Sequence, residues 1–177
     1  MIIAIDGPAA SGKSTTAKLV AEKLKITYLD TGAMYRAVTL HLLKSNIDFN
    51  NVDKVSTILD NLSIEMYDYK GRNIIKLNNE DITEKIRSSN VTENVSEVSA
   101  LLIVRQSMVV MQRQIGNKTD CVVEGRDIGT IVFPNADYKF FMIADIKMRA
   151  NRRLNEMNQL GANKTYDEMV SDLEIRD

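Results

Sequence analysis

The segment from Gly7 to Ser14 has the residue types and the spacing that cradle phosphate groups. It reads GPAASGKS and fits the pattern G-x-x-x-x-G-K-[ST]. Glycines let such a loop curl, so that successive backbone N–H groups point at phosphate oxygens near the positive end of the following helix. Lys13 would reach the β- and γ-phosphates, and the Ser14 hydroxyl could bind Mg²⁺. The sequence therefore predicts a nucleoside triphosphate site built from these residues: Gly7, Pro8, Ala9, Ala10, Ser11, Gly12, Lys13, Ser14 and Thr15.

Polar residues also follow two later strands of the predicted sheet. Asp30 and Thr31 come directly after the second strand, and Arg126 and Asp127 come after the third. Because ligands of parallel α/β sheets lie beyond the carboxyl ends of the strands, we expect these groups to share a crevice with the phosphate loop. Two alternatives stay open here: a helix N-cap for Asp30 or Thr31, and a mutual surface ion pair for Arg126 and Asp127.

Arginines on two predicted helices are further candidates. Arg105 lies on or beside an apolar helical stripe, in line with Gln112, and a core-facing arginine must be paired or must present its fork to a ligand. The alternative is a side chain that snorkels off the edge of the stripe. Arg149, Arg152 and Arg153 form one cationic helix face, which is either solvated or available to stabilise charge developing on a phosphate.

The elements that would position these residues follow from the apolar periodicity. Alternation on both sides of a turn at 70–72 predicts a hairpin, and we interpret 62–90 as a small antiparallel insertion. Short apolar runs predict buried strands at 2–5, 26–29, 121–123 and 138–143. Helical spacing predicts helices from 13, over 33–44, 52–59, 97–115 and 146–160, and from 166 after a polar loop at 161–164. Strands alternating with helices are typical of a parallel α/β fold.

Composition excludes several classes of protein. The 177 residues are 44% hydrophobic and 27% charged, which suits one globular domain. Lys plus Arg number 23 against 24 acidic residues, so no bulk charge favours nucleic acid or a membrane surface. One Cys and one His exclude an internal disulfide and a zinc site of thiolates and imidazoles. No apolar run approaches the ~20 residues of a membrane span, and the first residues lack a basic leader, so we expect a soluble cytoplasmic protein.

Several longer segments together resemble one known family. They are Ile5–Pro8 running into the phosphate loop, Tyr28–Arg36, Ile86–Ser88, the pairs Val104-Arg105 and Gln112-Arg113, and Gly125–Thr130 with Phe133-Pro134. These segments resemble the bacterial cytidylate kinases over essentially the whole chain. The resemblance implies an α/β fold with a three-layer, P-loop NTPase-type parallel sheet flanked by helices, a small antiparallel insertion that binds the nucleoside monophosphate, and a helical lid.

The resemblance also implies a reaction and a domain plan. The γ-phosphoryl group of ATP, bound with Mg²⁺, would pass to CMP or dCMP, giving ADP and CDP or dCDP. A single domain over 1–177 would have its core at about 1–61 and 98–145, the insertion at about 62–97 and the lid at about 146–165. Small-molecule nucleotides would be its only partners, and we expect a monomer. Family members continue well past Asp177, so the chain is expected to be truncated at its C-terminal end.

Individual site residues follow from the same resemblance. The acceptor would be held as follows: the base by Ser96, Arg105 and Asp127, the sugar by Thr31, the phosphate by Arg36 and Arg126, and both sugar and phosphate by a motif beginning at Arg176. The residues expected to be catalytic are Lys13, Arg126, Arg152 and Arg153, the last two from the lid. The metal would be bound by Ser14.

Two rival functions remain to be weighed. A small P-loop kinase acting on UMP, AMP or a metabolite alcohol is the nearer one. The Asp127 carboxylate and Ser96 hydroxyl would accept the C4 amino group of cytosine, whereas a uracil reader needs donors there. The other rival is a nucleotide-dependent switch that binds GTP or ATP and signals through loop ordering. A GTP-binding switch needs an Asn-Lys-x-Asp segment after a strand. Residues 117–120 match those letters but precede the predicted third strand, so they could not reach the base.

Overall fold

A parallel sheet of four strands forms the middle layer of the computed structural model, which describes residues 1–69, 72–159 and 164–176. The spatial order of the strands is β2-β6-β1-β7, and all neighbouring pairs are parallel. The four strands predicted from the sequence are present, but the burial predicted for the fourth is wrong, because it lies at the edge of the sheet. The strands in chain order are β1 (Ile2–Asp6), β2 (Thr27–Asp30), β3 (Ile64–Tyr69), β4 (Arg72–Leu77), β5 (Glu80–Asp81), β6 (Cys121–Gly125) and β7 (Tyr138–Phe141).

Helices cover both faces of this sheet, which gives the predicted three layers. The face carrying Ile3, Ile5 and Val122 packs against Ala17 and Ala21 of the first helix. The opposite face shares one large apolar cluster with the second and fifth helices. The helices are α1 (Lys13–Leu24), α2 (Thr31–Lys44), α3 (Val52–Asp60), α4 (Ser89–Ala100), α5 (Leu102–Gly116), α6 (Ile146–Gln159) and α7 (Tyr166–Arg176).

A second, antiparallel sheet consists of β3, β4 and β5, and it confirms the predicted hairpin. Residues 70 and 71 of the predicted turn lie outside the described residues, and Arg72 belongs to β4 rather than to the turn. The strand β5 was not predicted; it follows a tight turn in which Asn78 and Asn79 have φ of 48° and 68°. Apolar residues of β3 and β4 belong to the same large apolar cluster as the second and fifth helices. The division of the chain into core, insertion and lid stays a prediction.

The single helix predicted over 97–115 is wrong, because the structure contains two helices with a break at Leu101. Leu101 has φ −64° and ψ 124°, an extended conformation that ends α4 and begins α5. The break allows Val98 of α4 and Val104 and Met108 of α5 to be buried in the same cluster. The helix α4 begins at Ser89, so the C-terminal part of the predicted insertion is helical.

In the last third of the chain one strand differs from its prediction. The strand predicted over 138–143 ends at Phe141, and the side chains of Tyr138, Phe140 and Phe141 are exposed at this edge of the sheet. Asp145 caps α6 by accepting from the Lys147 N–H at 2.9 Å, and the described helix ends at Gln159. The predicted loop at 161–164 lies outside the described residues except for Lys164. Within the described ranges, no helix is long and apolar enough to cross a membrane.

Candidate nucleotide site

The phosphate loop lies between β1 and α1, as its sequence predicts, and its backbone is tightly curled. Gly7 has φ 150°, and a Cβ added there would lie 2.3 Å from the carbonyl oxygen of Met142. Gly12, with φ 97°, is the N-cap of α1. Both conformations favour glycine, and at Gly7 the neighbouring backbone also leaves no space for a side chain. The two glycines of the motif therefore have a structural reason that is independent of any ligand.

The Lys13 amine lies within the loop that it would serve. Its Nζ donates to the carbonyl oxygen of Pro8 at 2.7 Å. Burial lowers the pKa of Lys13, an effect that Glu124 opposes and that Arg126 reinforces. The charges of Lys13, Glu124 and Arg126 are therefore close enough to influence one another.

Glu124 is a site residue that the sequence analysis missed. It ends β6, it is 3% exposed, and its Oε2 accepts from the Ser14 hydroxyl at 2.9 Å while Oε1 accepts from the Tyr28 hydroxyl. Burial raises the pKa of Glu124, and the neighbouring Asp30 carboxylate adds to the rise. The sequence signal for Glu124 is that it is the single acidic residue of the run 121–124. It stands where that strand ends, on the edge of the sheet that carries Ser14.

Ser14 and Glu124 together fit a magnesium ion. Mg²⁺ prefers hard oxygen ligands and is usually held by one or two carboxylates plus substrate phosphates and water. A hydroxyl and a buried carboxylate that already lie 2.9 Å apart supply that set of donors. Among the described residues no group of three or more His, Cys, Asp or Glu side chains could hold a metal. The fit is therefore to an ion that the phosphates of a nucleotide help to bind.

Asp6 is a second residue that the sequence analysis missed, and it joins two parts of the site. It ends β1 immediately before the phosphate loop and is 7% exposed. Its Oδ1 and Oδ2 accept from the backbone N–H groups of Ile128 and Gly129, each at 2.8 Å. These residues begin a single π-helical turn, Ile128–Val132, which directly follows Arg126 and Asp127. The carboxylate of Asp6 therefore fixes the phosphate loop relative to the residues expected to bind the acceptor.

The structure joins two of the expected base-binding residues. Arg105 on α5 forms an ion pair with Asp127, and both side chains are partly exposed. Arg105 is thus paired at the edge of its apolar stripe, and Gln112 on the same line is buried. Ser96 is exposed on α4, and among the hydrogen bonds of the described residues none joins it to Asp127 or Arg105.

Thr31 and Arg36 make contacts that hold α2 in place. Asp30 is the N-cap of α2 and accepts from the Ala33 N–H at 2.9 Å, so the helix begins at Thr31, two residues before the predicted start. The buried Thr31 hydroxyl donates to the carbonyl oxygen of Glu124 at 2.6 Å. Arg36 donates from one nitrogen to the Ile86 carbonyl at 3.1 Å and to the hydroxyl of Thr92 at 3.0 Å. Expected contacts of both residues with the acceptor stay predictions.

The arginines of α6 divide into two groups. Arg149 is buried and donates to the carbonyl oxygen of Ala9 at 3.5 Å, and Arg152 donates to that of Ala10 at 3.2 Å. Arg153 instead pairs with Glu156 of its own helix at 2.8 Å. Two of the three arginines therefore contact the phosphate loop. Arg176 ends α7, and its side chain lies outside the described part of the chain.

The Asn-Lys-x-Asp segment that a GTP-binding switch would need lies at the other end of the sheet. The segment 117–120 directly precedes β6, and Asp120 forms an ion pair with the amino group of Met1. The amino ends of parallel strands are opposite to the edge that carries the phosphate loop, so this segment does not reach a nucleotide bound there.

A parallel sheet with a phosphate loop after β1, a carboxylate near its serine and arginines on a neighbouring helix is the arrangement of a P-loop nucleotide-binding protein and is consistent with a kinase of that fold. The chain belongs to the cytidylate kinase family, whose model, described as Cytidylate kinase, matches residues 3–177. It is similar to the cytidylate kinase of Clostridioides difficile, with 51% identity over 177 residues covering 100% of this chain and 80% of that protein. For the cytidylate kinase of Fusobacterium nucleatum the identity is 47%, covering 100% and 79%. The chain is thus an ATP-dependent phosphotransferase of the nucleoside monophosphate kinase class.

Proposed function

We propose that the residues described above transfer the γ-phosphoryl group of ATP to CMP or dCMP, giving ADP and CDP or dCDP. The supporting observation is the pair of hydrogen bonds from Ile128 and Gly129 to Asp6. Through them the donor loop and the segment with Arg126 and Asp127 share one edge of the sheet. An acceptor bound at Asp127 would therefore face a triphosphate bound in the loop.

On the donor side, the backbone of residues 7–15 binds the phosphates, and Lys13 neutralises their charge. Because Lys13 now donates to the Pro8 carbonyl, phosphate oxygens would replace that carbonyl as the acceptor. Ser14 and Glu124 hold Mg²⁺, which when bound neutralises part of the phosphate charge. Arg152 and Arg153 belong to the lid over ATP, and Arg149 supports the lid through its contact with Ala9.

On the acceptor side, recognition of cytosine is a matter of hydrogen-bond polarity. The Asp127 carboxylate and the Ser96 hydroxyl accept from the C4 amino group, and Arg105 donates to the O2 and N3 edge. The ion pair of Arg105 with Asp127 holds both groups in place for the base. Uracil would bring an oxygen to the carboxylate, and a bound base that excludes water there would leave both acceptors without a donor. Thr31 contacts the sugar, Arg36 and Arg126 bind the phosphate, and the motif beginning at Arg176 serves sugar and phosphate.

The chemistry needs placement more than proton transfer. The acceptor phosphate already has an ionised oxygen as nucleophile, so no strong general base is required. In-line placement and charge neutralisation by Lys13, Arg126 and the lid arginines supply the acceleration. Closure of the lid excludes water, which would otherwise hydrolyse ATP.

We also propose that the enzyme acts as a cytoplasmic monomer on small-molecule nucleotides. A buried, unpaired Cys121 suits a reducing compartment, and a net charge of −1 gives nucleic acid no bulk attraction. Sedimentation velocity with and without CMP tests the monomer, and a dimer at micromolar concentration would contradict it.

ADP production from Mg-ATP tests the proposed function, with CMP, dCMP, UMP, AMP or no acceptor in separate reactions. Turnover with CMP and dCMP far above that with UMP and AMP is expected. Equal turnover with UMP would contradict the role of Asp127, and ADP release independent of any acceptor would indicate an ATPase. If ATP binds without CMP-dependent turnover, adding the C-terminal continuation found in relatives tests whether residues beyond 177 are needed. Failure with the continuation would contradict the proposed function.

A further inference from the structure

Tyr28 lies on β2, outside the phosphate loop, yet its hydroxyl reaches the centre of the donor site. In the register of the sheet Tyr28 pairs with Val122 and Asp30 pairs with Glu124. Alternate residues of a strand share a face, so Tyr28, Asp30, Val122 and Glu124 all lie on one face of the sheet. That face is the one covered by α1, whose second residue is Ser14.

The two oxygens of Glu124 have different donors. Oε1 accepts from the Tyr28 hydroxyl, and Oε2 accepts from the Ser14 hydroxyl at 2.9 Å. A glutamate has three side-chain torsions, so one donor alone would leave its carboxylate free to rotate. Donors on both oxygens fix the plane of the carboxylate, and partners that orient a metal-binding group in this way tune its affinity for the ion.

The ring of Tyr28 is itself held in place. It packs against the apolar cluster of Ile3, Ile5 and Val122, and the amine of Lys18 lies 5.6 Å from the ring centroid on the outer side. The hydroxyl is therefore delivered to Glu124 by a ring that packing already orients. Removing the hydroxyl while keeping the ring would leave these contacts unchanged.

We propose that Tyr28 is a positioning residue, whose hydroxyl orients the Glu124 carboxylate so that Glu124 and Ser14 can bind the magnesium ion of Mg-ATP. The inference rests on the proposed function, and it adds a residue that lies on β2, outside the phosphate loop. Because the Tyr28 hydroxyl donates to Oε1 of Glu124, its effect should depend on Glu124 being present.

The test measures metal binding directly, by Mn²⁺ electron paramagnetic resonance on the complex with a non-hydrolysable ATP analogue. Tyr28→Phe should raise the Mn²⁺ dissociation constant about 3- to 10-fold, as expected for the loss of one hydrogen bond. Affinity for the analogue in excess EDTA and the KM for CMP should not change. Tyr67→Phe is the matched control, because Tyr67 is exposed on β3 and contacts only Lys76 among the ring contacts described.

A double-variant cycle decides whether Tyr28 acts through Glu124. Glu124→Gln should weaken Mn²⁺ binding more than Tyr28→Phe, and adding Tyr28→Phe to it should cause no further loss. Unchanged Mn²⁺ affinity in Tyr28→Phe, or an equal additional loss in the Glu124→Gln background, would overturn the proposal. Should Tyr28→Phe not fold, Glu124→Asp serves instead, because the shorter carboxylate cannot accept from both donors; wild-type Mn²⁺ affinity in that variant would overturn the proposal.

The same set of proteins separates this inference from the proposed function. Wild-type protein that makes no CMP-dependent ADP from ATP, with the C-terminal continuation as well as without it, would contradict the proposed function, while the comparison of Mn²⁺ affinities would still stand. Wild-type activity with a Glu124→Gln variant of unchanged Mn²⁺ affinity would leave the function intact and would overturn the role of Tyr28.

Discussion

The donor and acceptor halves of the site are constructed in different ways. The donor half is centred on one continuous loop whose carbonyl oxygens already accept from the cations around it: Pro8 from Lys13, Ala9 from Arg149 and Ala10 from Arg152. The acceptor half combines residues of α2, α4 and α5 with the end of β6, and its clearest internal link is the pair Arg105–Asp127. Binding of the triphosphate therefore depends first on local backbone geometry, to which the pairing of β2 with β6 adds Tyr28 and Glu124. Acceptor selectivity depends throughout on how separate elements pack.

The largest expected effect comes from removing the loop's amine. Lys13→Met should lower kcat about 100- to 1,000-fold, because a charge that stabilises the transferred phosphate is lost. Binding of CMP should change little, because Lys13 belongs to the donor half. Initial-rate kinetics with varied ATP and CMP check both statements, with the exposed Lys23→Met as control. A matching loss of CMP affinity would break the distinction between the halves.

Removing the Asp127 carboxylate on the acceptor side should change selectivity for the base and leave ATP binding unchanged. Asp127→Ala should reduce kcat/KM for CMP about 100-fold, because the base loses an acceptor and Arg105 loses its ion-pair partner. The ratio of kcat/KM for CMP to that for UMP should fall as well. Calorimetric titration with ATP should give the wild-type affinity. Asp60→Ala, at the exposed end of α3, is the control, and an unchanged CMP to UMP ratio would contradict the proposed role.

We expect Asp6 to be the residue that couples the donor half of the site to the acceptor half. Asp6→Asn keeps one acceptor oxygen and replaces the other by a donor that faces the Gly129 or Ile128 N–H. We expect a loss of about 1–3 kcal/mol in the free energy of unfolding, measured in urea. The kcat/KM for CMP should fall about 10-fold even though Asp6 adjoins the donor loop, because the turn after Asp127 is released. A variant in which only the KM for ATP changes, while kcat/KM for CMP stays at the wild-type value, would show that Asp6 does not link the two halves.

The smallest expected effect is a pH dependence of stability in the donor half. Because burial raises the pKa of Glu124, the folded state holds this proton at pH values where the unfolded chain has released it. The contribution of Glu124 to stability should therefore be greatest below the ordinary glutamate pKa and should decrease as the pH rises towards the raised value. Urea unfolding in EDTA from pH 4 to 8 should show the free energy of unfolding of Glu124→Gln increasing relative to that of the wild type as the pH rises. The exposed Glu97→Gln should run parallel to the wild type; a parallel Glu124→Gln curve would contradict the shift.

The same comparison explains how much could be predicted from the sequence. Strands, most helices and the loop at 7–15 could be predicted, because each is encoded by residues adjacent in the chain. The break at Leu101 could not, since it depends on two apolar stripes meeting one shared core. Glu124 and Tyr28 were missed because their proximity requires β6 to lie between β2 and β1, and no local pattern specifies that order. The same is true of Asp6, whose partners are more than a hundred residues away.

Arg153 shows the limit of reasoning from helical spacing. The spacing of Arg149, Arg152 and Arg153 correctly predicted neighbouring side chains on one helix. It could not predict that Glu156, one turn further on, would pair with Arg153 while the other two turn towards the loop. The choice among partners is decided by the docking of α6 on the loop, which is a tertiary feature.

The crowding at Gly7 has a consequence for how this sequence can vary. Its φ of 150° and a Met142 carbonyl 2.3 Å from any added Cβ would penalise alanine as well as larger residues. In a library with every codon randomised, selection for folded protein alone should already return glycine at position 7. A lineage that had lost phosphate binding altogether would keep this glycine as long as β1 and the end of β7 stayed packed together. The fold itself thus requires the first glycine of the motif. Finding this glycine in a distantly related sequence is therefore weaker evidence of activity than finding the lysine at the position of Lys13.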